Sequence, residues 1–204
     1  MKKILLCAFD PFGGESVNPA LMAVGQVSFE GVDLRKTEVP TVFYKSIELV
    51  CGIIDEFKPD AVVMIGQAGG RDKITPERVA INVSDARIDD NEGNRPCDEP
   101  IREGAPAAYF STLPVKAIVA ALQKEGIPAA LSNSAGTFVC NHLMYGVLDH
   151  LAQGLGGTIA GFMHVPYVPE QTQNKADKPS MPLDVTVRAI ELTLGIITDT
   201  IEGK

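Results

Sequence analysis

The sequence predicts an α/β fold: a single-domain three-layer sandwich spanning residues 1–204, with a mostly parallel twisted sheet and helices on both faces. Three observations predict it. Apolar runs of strand length alternate with stretches of helical period along the whole chain, the pattern of strand–helix–strand units. The length of 204 residues suits one large domain with room for a substantial core. Hydrophobic residues make up 45% and charged residues 22%, a globular and not a disordered composition.

Taken in order, Ile4–Phe9 is an apolar strand. Lys2-Lys3 before it resembles the start of an export signal, but Asp10 ends the run after six residues, short of the roughly 7–15 a signal core needs. Asn18-Pro19 opens a helix to about Val27, with asparagine as N-cap and proline at the first helical position. Leu34–Val39 is a weaker strand. Phe43, Ile47, Val50, Cys51, Ile54 and Phe57 form the stripe of an amphipathic helix. Ala61–Ile65 is an apolar strand ending at Gly66, and Arg78–Val83 alternates with Val79, Ile81 and Val83 on one face. Asp85 to about Ala105 is polar and rich in Gly, Pro and Asp, hence a long loop or hairpin. Pro114–Lys124 is helical, Ile127–Leu131 a strand, Phe138–Gln153 a helix with its stripe at Cys140, Leu143, Met144, Val147, Leu148 and Leu151, and Thr158–Val165 a buried strand. An irregular stretch, Pro166–Pro182, precedes a closing helix to about Ile201.

Composition excludes several partners. Eighteen Lys and Arg stand against 26 Asp and Glu, for a net charge of −8 with no basic cluster, so no nucleic-acid surface is expected. No run reaches the ~18–20 apolar residues of a membrane helix. The four cysteines, at 7, 51, 97 and 140, lack CxxC spacing. Without an export signal they are expected reduced, in the cytoplasm. Cys140 and His142 are two apart, but no second ligand pair has zinc-site spacing, so no metal is expected.

In a parallel sheet ligands bind beyond the carboxyl ends of the strands. Four segments should meet there: Phe9–Gly14, Gly66–Arg71, Ser132–Cys140 and His164–Tyr167. Cys7 and Cys51 fall within apolar patterns and read as core; Cys97 lies in a polar loop. Cys140 follows Thr137, a possible cap, so its sulfur belongs to a first helical turn, where free N–H groups lower a thiol's pKa. It is either a nucleophile or the start of the core stripe, and position alone leaves both open. His142 and His150 lie off that stripe and read as solvated. His164 ends a buried strand at the binding edge, as a general base or as a structural histidine. Glu77 shares parity with Val79, Ile81 and Val83 and would point inward as the group orienting an imidazole; the alternative is a frayed strand start with Glu77 in solvent.

Gly66–Arg71 follows a strand as phosphate loops do, but lacks the GxGxxG order and a GK[ST] ending. Phe9 and Phe12, flanking a turn in Asp10-Pro11-Phe12-Gly13-Gly14, are suited to wall an apolar pocket or simply to pack in a core. A phosphorylase-like enzyme and a small-ligand binding module are therefore competing readings.

These segments together resemble the pyroglutamyl-peptidase I family of cysteine peptidases. The likeness runs end to end through Phe9–Gly14, Val39-Pro40-Thr41-Val42-Phe43 and His164-Val165-Pro166-Tyr167. It is most specific in Gly66-Gln67-Ala68-Gly69-Gly70-Arg71 with Ile74–Asn82, and in Ser132-Asn133-Ser134-Ala135-Gly136-Thr137-Phe138-Val139-Cys140-Asn141. The resemblance implies a Glu77–Cys140–His164 triad that removes an N-terminal pyroglutamyl residue from peptides, in the cytoplasm and without a cofactor. It implies that Phe9, Phe12, Phe138 and Ile88 enclose the lactam, that main-chain groups of Gln67 and Val139 hydrogen-bond its ring, and that Arg87 lies near the thiol. Asn18 belongs to the same neighbourhood, although capping a helix accounts for it. A homotetramer is also implied.

Overall fold

The computed structural model describes residues 1–154 and 156–203. In chain order the elements are β1 (Lys2–Phe9), α1 (Pro19–Gln26), β2 (Val32–Val39), α2 (Lys45–Phe57), β3 (Ala61–Gln67), β4 (Thr75–Pro76), β5 (Val79–Ile81), β6 (Ala108–Phe110), α3 (Val115–Lys124), α4 (Val139–Gly154), β7 (Ile159–Val165), α5 (Pro169–Thr172) and α6 (Leu183–Glu202). A five-stranded sheet runs β2-β1-β3-β7-β4. Its first three pairings are parallel and only β4, two residues long, is antiparallel.

Alternation along the central strands sorts side chains between two cores. Ile4, Leu6, Ala8, Val63, Ile65 and Met163 face the layer of α1, α3 and α6. Leu5, Cys7, Phe9, Val62, Met64, Ala160 and Phe162 face α2 and α4. This period of two places His164, next in parity after Phe162, on the α4 side. β2 flanks β1 on one side and β3 on the other, so the loops leaving β1 and β3 diverge, and the crevice between them is a ligand site in such sheets.

Local chemistry explains the elements that were expected. Asn18 caps α1, its side chain accepting from Ala20 N–H at 3.0 Å, with Pro19 at the first helical position. Three expectations are corrected. Ile127–Leu131 is not a strand of the sheet. It runs alongside β4 through isolated bridges, Ile74 to Ala129 and, just beyond the segment, Glu77 to Ser132, because Pro76 between them has no N–H to give to the ladder. Arg78–Val83 is not one alternating strand facing the core: β5 buries Ala80 while Val79 and Ile81 are half-exposed, and it pairs with β6 in a separate hairpin.

The third correction concerns α4. Its polar side is wrapped by the 84–105 segment and the β5–β6 hairpin, leaving His142 fully buried and not solvated. Asn141 accepts from Ile81 N–H and donates to the carbonyls of Ile81 and Val83. Asp149 takes a two-pronged bond from Arg102, at 2.6 and 2.7 Å, and the Tyr109 hydroxyl at 2.8 Å. His150 is half-buried beside Asp55.

α2 and α4 approach closely at Gly146, where a Cβ would lie 2.3 Å from Ile47 Cδ1 and 2.9 Å from its Cγ2. Gly146→Ala should therefore lower stability by about 1–3 kcal/mol through overpacking, despite alanine's better helix propensity. Urea unfolding should show the double variant with Ile47→Ala losing less than the sum of the single losses; strict additivity would contradict the contact.

Candidate active site

The four segments expected at the carboxyl edge do converge. A cavity of about 390 Å³ is lined by Phe12 from the turn after β1, Gln67 at the end of β3, Ala135 to Phe138 and Cys140 around the start of α4, His164 near the end of β7, and Asp85, Arg87 and Ile88 from the long loop.

Cys140 occupies the first turn of α4, and Gly66 gives its sulfur room: a Cβ on that glycine would stand 3.1 Å from Sγ and 2.7 Å from Phe162 Cζ. Gly66 is also the register partner of His164 across β3 and β7. The Phe162 ring packs on the imidazole with centroids 4.8 Å apart. Cys140 and His164 thus come from distant parts of the chain to line one cavity.

Behind the imidazole lies Glu77, fully buried. Its N–H bonds the Phe162 carbonyl at 2.9 Å, and the irregular pairing with Ser132 carries it past β7. His164 Nδ1 meets Glu77 Oε1 at 2.7 Å. An ionised carboxylate only accepts, so Nδ1 bears the proton and Nε2 is left as a base. Burial alone would push the Glu77 carboxyl up; the hydrogen bond and charge of His164, then Ser132 and Arg71, hold it below its ordinary value. Glu77 Oε2 is buried without a well-oriented protein partner, the nearby Ser132 hydroxyl being turned to the Ser134 carbonyl.

Arg71 completes the group and was not singled out from sequence. Its Nη1 bonds Glu77 Oε1 at 2.7 Å and Thr75 Oγ1 at 2.6 Å, and its Nη2 reaches the Ser134 carbonyl. The available signal was chemical: a carboxylate aimed inward needs a cation, and an arginine stands six residues before it.

Burial pushes the Cys140 thiol up to about 12, with the Glu77 charge adding and Arg71 opposing. Burial likewise lowers His164, against the raising influence of Glu77. Burial thus opposes the lowering that the helix start exerts on this thiol. Thr137 does not cap α4 through its hydroxyl as expected. That hydroxyl donates to the Asp85 carbonyl at 2.8 Å while Asp85 N–H returns to the Thr137 carbonyl, tying the loop of Arg87 and Ile88 to the helix start.

Among the other expected residues, Phe9, Val139 and Asn18 are not in the cavity lining, whereas Gln67 is. Phe9 is a core residue against Phe162, ring centroids 6.2 Å apart. The Val139 side chain is buried in the α4 core. Asn18 stands behind the wall: besides capping α1 it donates to the Asp10 carbonyl at 3.0 Å, holding the turn that carries Phe12. Gln67 takes a bond from Gln171 Nε2 at 2.9 Å, a partner contributed by α5. The glycine turn after β3 leads into β4 and not a helix, so the phosphate-loop reading has no helix N-terminus to support it.

The arrangement provides a thiol, a base oriented by a buried carboxylate, and an apolar recess, the constellation of acyl transfer through a covalent intermediate. Comparison with known proteins agrees. The pyroglutamyl peptidase family model matches residues 2–200. A pyrrolidone-carboxylate peptidase of Brevibacillus brevis is 55% identical over 197 residues, covering 95% of this chain and 92% of that protein. One from Streptococcus pneumoniae is 55% identical over 199 residues, covering 97% and 93%. The crystal structure of pyroglutamyl peptidase I from Bacillus amyloliquefaciens superposes with a TM-score of 0.94 at 48% identity, covering 98% of both chains. A mutant pyrrolidone carboxyl peptidase from Pyrococcus furiosus gives 0.93 at 40% identity, covering 97% and 99%. With its thiol, imidazole and carboxylate gathered at the sheet edge and its whole length matched, this chain belongs to the pyroglutamyl peptidase family, cysteine peptidases that remove N-terminal pyroglutamate.

Proposed function

We propose that residues 1–204 act as one catalytic domain in which Cys140 is the nucleophile, His164 the acid–base group and Glu77 its orienting carboxylate, acting on peptides that begin with pyroglutamate. The observation that carries this reading is the 2.7 Å bond from His164 Nδ1–H to buried Glu77, with His164 and Cys140 lining the same cavity. His164 Nε2 takes the thiol proton as sulfur attacks the pyroglutamyl carbonyl carbon. The oxyanion faces the unpaired N–H groups at the start of α4, with Arg87 on the same cavity adding positive charge. His164 then protonates the departing amine and the C–N bond breaks. In the second half His164 deprotonates a water, which attacks the thioester and releases pyroglutamate and the thiol.

The recess suits a flat uncharged lactam. Phe12 and Phe138 stand 6.1 Å apart with rings tilted, Ile88 closes the mouth, and the one carboxylate among the lining residues, Asp85, is exposed. Main-chain groups of Gln67 and Val139 are the proposed partners of the lactam amide. A charged glutamyl N-terminus would bury charge unpaired and should be rejected. We also propose a homotetramer in the cytoplasm acting without a cofactor, a reading supported by the family resemblance.

The wild-type chain should hydrolyse a fluorogenic pyroglutamyl amide, and iodoacetamide should abolish the reaction. Cys140→Ser should lose at least about 10⁴-fold in kcat while keeping the wild-type melting curve; retained activity would remove the proposal. Because His164 must be neutral to accept the proton and its pKa is lowered, kcat/KM should fall only as pH drops through a value below 6.5. Glu77→Gln removes the charge that raises His164, so that acid limb should move to still lower pH. Its loss of kcat should be roughly 10²-fold or more, smaller than that of Cys140→Ser. A limb moving upward would contradict the assigned pairing. Sedimentation equilibrium should return the mass of four chains, and a monomer would overturn the assembly.

A further inference from the structure

His142 lies two positions beyond the proposed nucleophile, and no step of the reaction uses it. Its ring is completely buried. Nε2 accepts the Tyr44 backbone N–H at 3.0 Å. An amide N–H only donates, so Nε2 carries no proton and the ring is the Nδ1–H tautomer, with Nδ1–H donating to Ser84 Oγ at 2.8 Å. Burial holds the imidazole down to about 4, in keeping with that tautomer.

The backbone it grips is strained. Tyr44 has φ 64° and ψ −53°, and Lys45 N–H bonds the Phe43 carbonyl at 2.7 Å. This is the rare form of the γ-turn, which a non-glycine residue keeps only when its surroundings enforce it. The Tyr44 side chain is 52% exposed, its ring resting edge-on against that of His142 at 5.0 Å and 89°. Enforcement comes from the two flanking amides: Tyr44 N–H on His142, and Phe43 N–H on Asp90 Oδ2 at 2.9 Å. Asp90 is itself fixed by the N–H groups of Glu92 and Asn94 and by the Asn94 amide.

The turn sets the back of the cavity wall. It presents Phe43, fully buried, edge-on to Phe138 at 5.3 Å and 88°, and edge-on to His142 at 5.1 Å and 85°. Phe138 in turn lines the cavity opposite Phe12. We propose that His142 is a positioning residue for substrate binding: by locking the Tyr44 turn it holds Phe43 behind Phe138 and so fixes the apolar wall that receives the pyroglutamyl ring. The inference rests on the reading of that cavity as the lactam site, and it assigns His142 no part in proton transfer.

The test separates binding from chemistry. His142→Leu leaves the Tyr44 N–H without an acceptor and should raise KM for a pyroglutamyl amide, and Ki for 2-pyrrolidone, about tenfold. Its kcat should stay within about threefold of wild type. His142→Gln, whose side-chain oxygen can accept the same N–H, should restore most of the affinity. Tyr44→Gly tolerates the positive φ without help, so adding it to His142→Leu should bring KM back toward wild type. A folded His142→Leu with unchanged KM and Ki would overturn the inference, as would a collapse of kcat at constant KM. Should His142→Leu fail to fold, Ser84→Ala decides. It frees Nδ1–H from its acceptor and should raise KM severalfold; an unchanged KM would refute the lock. If the wild-type chain cleaves no pyroglutamyl substrate, the reading of the site has failed, independently of His142.

Discussion

A carboxylate with no exposure to solvent, Glu77, is the constraint on which the site depends. Burying such a group is costly unless charge and hydrogen bonds compensate. Here Arg71 and His164 share one of its oxygens, both at 2.7 Å. Satisfying that oxygen fixes the imidazole tautomer, and with it which nitrogen faces the cavity. At the same place the sheet departs from parallel order: β4 runs antiparallel to β7, and the segment at Ser132 pairs just beyond β4, at Glu77. The irregular edge of the sheet is therefore the means by which a glutamate after β4, a cysteine on α4 and a histidine on β7 come together.

The framework was legible where one local signal sufficed. Asn18-Pro19 announced a helix start, and the structure shows the cap. The alternation of β7 was enough to place His164 on the face of Phe162, and strand ends pointed to the four converging loops. Glu77 was expected to face inward for a reason that does not hold: its supposed parity partners Val79 and Ile81 are half-exposed in another sheet. Its burial comes instead from pairing beside Phe162 and Ser132, a tertiary arrangement that no local period encodes. The same limit concealed Arg71, and it concealed β6, whose residues are largely exposed and lack a strand-like pattern.

The misreading of α4 has a general cause. Periodicity identifies polar positions, and polarity is then equated with solvent. In this helix the polar residues are the attachment points of a cover. Asn141, His142 and Asp149 are each buried, and each satisfies its hydrogen-bonding groups with the segments laid over it. A helix buried around nearly its whole circumference need not be apolar throughout if its partners carry matching donors and acceptors.

That manner of attachment has a dynamic consequence. The 84–105 cover is joined to α4 and to the start of α2 largely by directional bonds through His142, Asp149 and Asp90, whereas the sheet beneath is held by two interdigitated cores. Segments joined in this way come loose cooperatively and at lower free energy than the framework they cover. A partial opening would dismantle the mouth of the recess and leave the Glu77–His164 bond beneath it closed, so the molecule would lose its grip on a ligand before losing its means of reacting with one.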